Sequence, residues 1–111
     1  MGRDNSTDLL PGTLDLLILQ TLAAGSQHGY GIAQRVKQVS DDVLDVGESS
    51  LYPALQRLLL QGWVRGEWGA SENNRRARFY TLTPAGRKQL AAERDEFNRI
   101  VSAIHKILST A

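Results

Sequence analysis

Apolar positions fall in helical stripes up to about residue 61, alternate briefly after it, and return to a helical stripe to the end of the chain. The first stripe is Leu14, Leu16, Leu17, Ile18, Leu19 and Leu22. Thr13 is its expected N-cap, Asp15 sits in the first turn where a carboxylate suits the helix dipole, and Gly25 closes the run. This helix keeps almost no polar face. A helix apolar nearly all round needs cover on more than one side, so Leu14 and Leu17 are expected to meet a partner chain. A second helix is predicted over Gly29–Val39, with Ile32, Val36 and Val39 on one stripe and Arg35, Lys37 and Gln38 left to solvent.

Asp41–Gly47 reads as a turn region, after which Ser49 or Ser50 caps a third helix that runs to Gln61 and stops at Gly62. Leu51, Leu55, Leu58 and Leu59 form its core stripe, and Ser49, Ser50, Tyr52, Pro53, Gln56 and Arg57 face the other way. Pro53 is tolerated at low cost only in a first turn, so the helix is expected to start at Ser49 or just before. Leu60, apolar on the polar side, is expected to pack under the following hairpin or against the last helix. The segments Trp63–Trp68 and Ala77–Leu82 are rich in aromatic and β-branched residues and predict a hairpin with the long polar tip Gly69–Arg76. Trp63 and Trp68 are assigned to its core.

Thr83 followed by Pro84 is a strong helix start, with Thr as N-cap and Pro in the first turn. Beyond Gly86 no breaker appears before Ser109, which permits a helix of about 25 residues, nearly 40 Å long. Leu90, Phe97, Val101, Ile104 and Leu108 stripe it, widened by Ile100 and Ile107. Much of such a helix overhangs a domain this small, so it is expected to dimerise in a coiled-coil-like contact. The fold class is therefore mainly α with a small β-hairpin. Residues 1–10 are expected to form a flexible arm, 11–82 a first domain and 83–111 a dimerisation helix.

Composition narrows the function. The 111 residues contain no cysteine, which excludes a disulfide framework, a thiolate nucleophile and a thiolate metal site. The apolar run Leu14–Leu22 is about half of what a bilayer requires, and the polar start of the chain resembles neither a secretory nor a transit signal. The cytoplasm is the expected location. His28 and His105 have no acidic neighbour at ligand spacing, so neither metal nor cofactor is expected. The carboxylates of Asp41–Glu48 lie on a turn open to solvent, a poor setting for acid–base catalysis, and no enzyme is expected.

Charge sharpens the picture. Residues 1–48 carry three basic and seven acidic side chains, whereas residues 65–88 carry six basic and two acidic. A local basic cluster on a nearly neutral chain suits a polyanion. Two helices, a capped helix with a polar face and a basic-tipped hairpin follow the order of a winged helix-turn-helix, whose third helix enters the major groove. Hydroxyls at Ser49, Ser50 and Tyr52, the Gln56 amide and the Arg57 guanidinium suit base edges and phosphates. The helix starts at His28, Gly29 and Tyr30 and at the third helix offer free N–H groups to phosphate. Asn73, Asn74, Arg75, Arg76 and Arg78 of the wing follow the backbone or the minor groove. The competing reading is a winged helix that binds a protein and no DNA, since Arg57 is the single cation on the third-helix face.

Four strings, Pro11–Leu19, His28–Ile32, Ser50–Leu58 and Tyr80–Arg87, closely resemble the PadR transcriptional regulators. Together they span residues 11–87 in the family's order. The resemblance implies a homodimeric repressor of the short subfamily, with double-stranded DNA as its partner and one C-terminal dimerisation helix. It places Ser50, Tyr52 and Pro53 at the DNA-facing start of the recognition helix and Arg75, Arg76 and Arg78 in the wing. It also implies release of DNA by a small phenolic or planar aromatic effector, bound between the C-terminal helices near Phe97.

Overall fold

In the computed structural model, which describes residues 12–110, the elements are α1 (Thr13–Ala23), β1 (Gln27–His28), α2 (Gly29–Val39), α3 (Glu48–Leu60), β2 (Val64–Ala70), β3 (Arg76–Leu82) and α4 (Pro84–Leu108). The expected arm of residues 1–10 lies outside the described residues. The fold is mainly helical with a small antiparallel sheet of order β1-β3-β2. The sequence reading holds for the helices and the hairpin, but β1 is an addition. Its two residues pair with β3 as Gln27 to Tyr80 and His28 to Phe79, a strand too short to show any period.

The core forms where α1, α3 and the sheet meet. Ile18, Leu19, Ile32, Ala54, Leu55 and Leu58 are essentially inaccessible, and Val64, Tyr80 and Leu82 close the layer from the sheet side. Leu51, Leu55 and Leu58 are buried as their spacing predicts, and Leu59 is partly buried against the same cluster. Leu14 packs partly buried on the cluster and Leu17 is half-buried, so within one chain α1 already covers most of its apolar surface. Three apolar side chains expected inside lie outside instead. Val39 ends its helix at 65% exposure, Leu60 reaches 79%, packing neither under the wing nor on α4, and Trp68 is 59% exposed.

The helix starts also differ from the sequence reading. The N-cap of α1 is Gly12 in the left-handed conformation (φ 86°), and Thr13 is the first helical residue. Gly47 precedes α3, which begins at Glu48, so Ser49 and Ser50 lie within the first turn as exposed residues and neither is the cap. Pro53 is therefore the sixth helical residue, beyond the first turn. It supplies no N–H to the Ser49 carbonyl, a local loss that the buried Leu51, Ala54, Leu55 and Leu58 offset.

The start of α4 follows the sequence closely. Thr83 Oγ1 accepts a hydrogen bond from Gly86 N (3.0 Å) and donates to the Gly62 carbonyl (2.8 Å), while Thr83 N donates to the Trp63 carbonyl (3.0 Å). One residue thus caps the helix and ties it to the base of the hairpin. The 25-residue α4 then leaves the body. Gly86 and Leu90 are buried, whereas Phe97, Ile100, Ile104, Ile107 and Leu108 are exposed along one stripe. The radius of gyration, 15.3 Å, exceeds the roughly 13 Å of a compact chain this long, as an overhanging helix requires.

Gly86 lies where α4 crosses the start of β2. A Cβ there would fall on the Trp63 carbonyl oxygen and within 2.7 Å of Leu82 Cδ1. Gly86→Ala is therefore expected to destabilise the fold by about 1–3 kcal/mol through overpacking, read as a lower urea midpoint with unchanged slope.

Candidate nucleic-acid interface

The approach of α2 to α3 begins with His28. Its backbone N–H donates to Gln27 Oε1 (3.0 Å), and its Nδ1 accepts from Gly31 N (3.0 Å), which makes the ring the N-cap of α2. The ring packs edge-on to Phe79 at 5.3 Å between centroids, and Nε2 stands 3.9 Å from Glu72 Oε1 at the wing. The structure thus gives His28 a capping role, with its outer nitrogen facing the Glu72 carboxylate. Tyr30, the next aromatic residue, is exposed and stacks over His28 at 6.5 Å.

Close approach favours glycine at both neighbouring positions, most strictly at Gly29. A Cβ on Gly29 would lie 2.7 Å from Tyr52 Oη, and one on Gly31 would strike the Gln27 side chain. The phenol of Tyr52 consequently seats against the first turn of α2 while part of its ring stays exposed. Loss of hydration raises the Tyr52 pKa above 10.0, helped by the negative charge of Glu48 and then by Tyr80. At neutral pH the residue is a protonated hydroxyl, able to donate to an anion.

Ser49, Ser50, Tyr52, Pro53, Gln56 and Arg57 all lie on the exposed side of α3, as the spacing predicts. Arg57 differs from the others in being engaged: its Nη2 donates to Asp15 Oδ1 of α1 at 2.8 Å. Arg57 thus braces α3 against α1. The sequence reading placed Asp15 as a dipole partner and missed this role, since nothing in the spacing of 42 residues signals it.

The wing is more ordered at its tip than a long polar loop suggests. Strands β2 and β3 pair from Val64 opposite Leu82 to Ala70 opposite Arg76, leaving residues 71–75 as the turn. Ser71 N donates to the Arg75 carbonyl (2.8 Å), Asn74 N donates to the Ser71 carbonyl (2.8 Å), and Asn74 takes a left-handed φ of 58°, which Asn tolerates better than most residues. Arg75, Arg76 and Arg78 are exposed, and among the described residues none forms a salt bridge. The Arg76 guanidinium lies over the Trp68 ring at 4.7 Å, and that of Arg78 crosses Gly66 to lie 5.9 Å from the Tyr80 ring. Trp68, assigned to the hairpin core from sequence, instead lines the exposed end of the wing. The period-two pattern that sets it on the face of Arg78 and Tyr80 was the available signal.

A concave region lies between α1 and α4. Gly12, Thr13 and Leu16 of the α1 end face Phe97, Ile100, Val101 and Ile104 of α4 across an apolar groove of about 260 Å³, rimmed by Glu93 and Glu96. Leu108 is exposed beyond it. Among the described residues no group of His, Asp or Glu is arranged to hold a metal ion, and no helix is long and apolar enough to cross a membrane.

A helix pair whose second member presents a polar face, flanked by a cationic hairpin, defines a winged helix-turn-helix. Residues 18–92 match the family model described as the transcriptional regulator PadR-like family, and the chain belongs to that family. A transcriptional regulator from Clostridium thermocellum shares the fold at a TM-score of 0.81 and 29% identity, over 90% of this chain and 97% of that one. A PadR family transcription regulator from Clostridium difficile does so at 0.73 and 26% identity, over 88% and 100%. A 37.1 kDa transposon protein of Streptomyces fradiae is 41% identical over 77% of this chain, which spans only 23% of that relative's length. The family and these structural relatives are transcriptional regulators and not enzymes.

The seat of Tyr52 has a pH consequence. A folded-state pKa raised above the unfolded 10.0 means that this contribution to stability is complete below pH 10 and is lost as pH rises through the folded value. As pH rises above 10.0, Tyr52→Phe is expected to lose less stability than wild type in urea denaturation. Parallel losses in the two proteins would contradict the assignment.

Proposed function

We propose that the chain is a sequence-specific DNA-binding repressor, acting as a homodimer on a palindromic operator and released by a small aromatic or phenolic effector. The observation that carries the DNA reading is the exposed α3 face from Ser49 to Gln56, beside three arginines that no carboxylate neutralises among the described residues. On this reading α3 enters the major groove, with Ser49, Ser50, Tyr52, Pro53 and Gln56 at base edges or adjoining phosphates. Tyr30 and the α2 start approach the backbone, and Asn74, Arg75, Arg76 and Arg78 flank it. Arg57 holds α3 on α1 through Asp15. Residues 11–82 act as the DNA-binding unit and 83–111 as the dimerisation helix.

Dimerisation is supported by the uncovered stripe of α4. Leaving Phe97, Ile100, Ile104, Ile107 and Leu108 in water is costly at roughly 25 cal/mol per Å². A second copy of α4 supplies a matching surface, with Leu14, Leu17 and Val101 at the margin. Two-fold symmetry then sets half-sites about one helical turn apart, roughly 34 Å, or a multiple of it. The groove between α1 and α4 opens onto this seam and suits a planar apolar effector. An effector there changes DNA affinity only as far as it prefers one inter-subunit spacing over another. Such a regulator acts in the cytoplasm.

With Arg57 engaged, three wing arginines per subunit remain for phosphate, and a dimer is expected to show a log–log salt slope near about −5. Arg75→Ala with Arg76→Ala is expected to weaken binding to all sequences and to flatten that slope by about 2 per engaged subunit. An unchanged slope removes the wing from the interface, and weak salt dependence in the wild type favours a protein partner over DNA. Separately, Phe97→Asp with Ile104→Asp is expected to convert dimers to monomers in sedimentation, and persisting dimers would place the seam elsewhere.

A further inference from the structure

The face of the hairpin that packs on the helices continues past them. Val64, Gly66, Trp68 and Ala70 are opposite Leu82, Tyr80, Arg78 and Arg76, so all of them share one side of the sheet. At the base this side is buried, through Val64, Tyr80 and Leu82. Towards the tip the helices no longer cover it, and there it carries Trp68, Arg76 and Arg78. Tyr80 lies between the two regions, buried at the base with the Arg78 guanidinium 5.9 Å from its ring. The cationic, aromatic end of the wing is thus continuous with the recognition helix.

Trp68 is hard to explain as packing. It is 59% exposed, and the group placed over its ring is the Arg76 guanidinium at 4.7 Å. Arg76 comes from the diagonal position across the ladder, within reach of a long side chain. A guanidinium held by an aromatic face differs from one held by a carboxylate, because its charge stays uncompensated and all five N–H donors remain available. The stack also removes rotamer freedom from a long side chain before any ligand arrives, so less is lost on binding. Gly66 serves the neighbouring arginine by lacking a Cβ, which would lie within 3.0 Å of Arg78 Nη2.

We infer that Trp68 is a positioning residue for DNA recognition: its indole holds Arg76 poised for the minor groove of duplex DNA flanking the site read by α3. A narrow, A·T-rich groove concentrates negative potential and favours an inserted arginine, so the pair confers a preference for A·T-rich flanks. This inference rests on the DNA-binding reading above.

The test uses full-length protein and a duplex that the wild type selects from a randomised library, with affinity measured against salt. Trp68→Ala is expected to weaken binding about tenfold while leaving the salt slope unchanged, because every charge is retained. Trp68→Phe, which keeps a ring under Arg76, is expected to stay within about threefold of wild type. Arg76→Ala is expected to weaken binding and to flatten the slope by about 0.9 per subunit. Adding Trp68→Ala to Arg76→Ala is then expected to cost less than about twofold more, since the two act as one unit. Both single variants are expected to lose the preference for A·T-rich over G·C-rich flanks.

Additive losses, or Trp68→Ala binding as tightly as wild type, would overturn the positioning role and leave the DNA-binding reading intact. A wild type that selects no sequence and binds without salt dependence would overturn that reading and this inference with it. In a Trp63→Phe background Trp68 is the remaining tryptophan of two. Its emission is expected to shift when the selected duplex is added, and an unmoved spectrum at saturation counts against the placement.

Discussion

The arrangement depends on one helix that has to be covered from every direction. Ile18 and Leu19 of α1 are inaccessible and Leu22 nearly so. An apolar helix in water is unstable against any packing that hides it. Here α2, α3, β3 and α4 all lean on it, and the positions of α3 and α4 relative to each other follow from that shared support. The Arg57 to Asp15 contact adds a polar brace at the edge of the same α1–α3 contact. A partly exposed pair of this kind contributes little stability by itself. Its consequence is directional, since it holds the side chain against α1 and leaves hydroxyls and an amide on the outer surface of α3.

Two junctions carry this support outward. At one, Thr83 caps α4 while bonding to the Gly62 and Trp63 carbonyls at the base of β2. The wing and the proposed dimerisation helix therefore spring from a single hydrogen-bonded corner. At the other junction, Gly29 admits the Tyr52 ring and His28 caps the same helix. The start of α2, the start of α3 and β3 meet there, with the Tyr52 ring seated where Gly29 lacks a Cβ and the His28 ring against Phe79.

Charge is separated along the same lines. The described arginines of the wing carry no carboxylate partner, whereas Asp41, Asp42 and Asp45 gather on the loop after α2. Glu96 is taken up by Arg99, whose pKa it raises through a hydrogen bond and its charge. The surface is thus positive on the wing, where the proposed reading sets the DNA backbone. A nearly neutral total conceals this separation.

The sequence by itself determined the helices, the hairpin and the polar face of α3, because periodicity, capping and breakers are local properties. Thr83 and Pro84 start α4 in the structure where their chemistry places them, and Gly29–Val39 matches residue for residue. Departures occur where distant residues decide. Strand β1 exists because β3 offers an unpaired edge to two residues with no β pattern of their own. Arg57 is taken by Asp15, His28 turns its Nδ1 to its own helix, and Val39, Leu60 and Trp68 stay outside because no element passes over them. Hydrophobicity states what a side chain gains from burial, but only the tertiary arrangement decides whether a partner surface reaches it. At Trp68 the partner that arrives is a guanidinium, and the apolar residue stays on the surface beneath it.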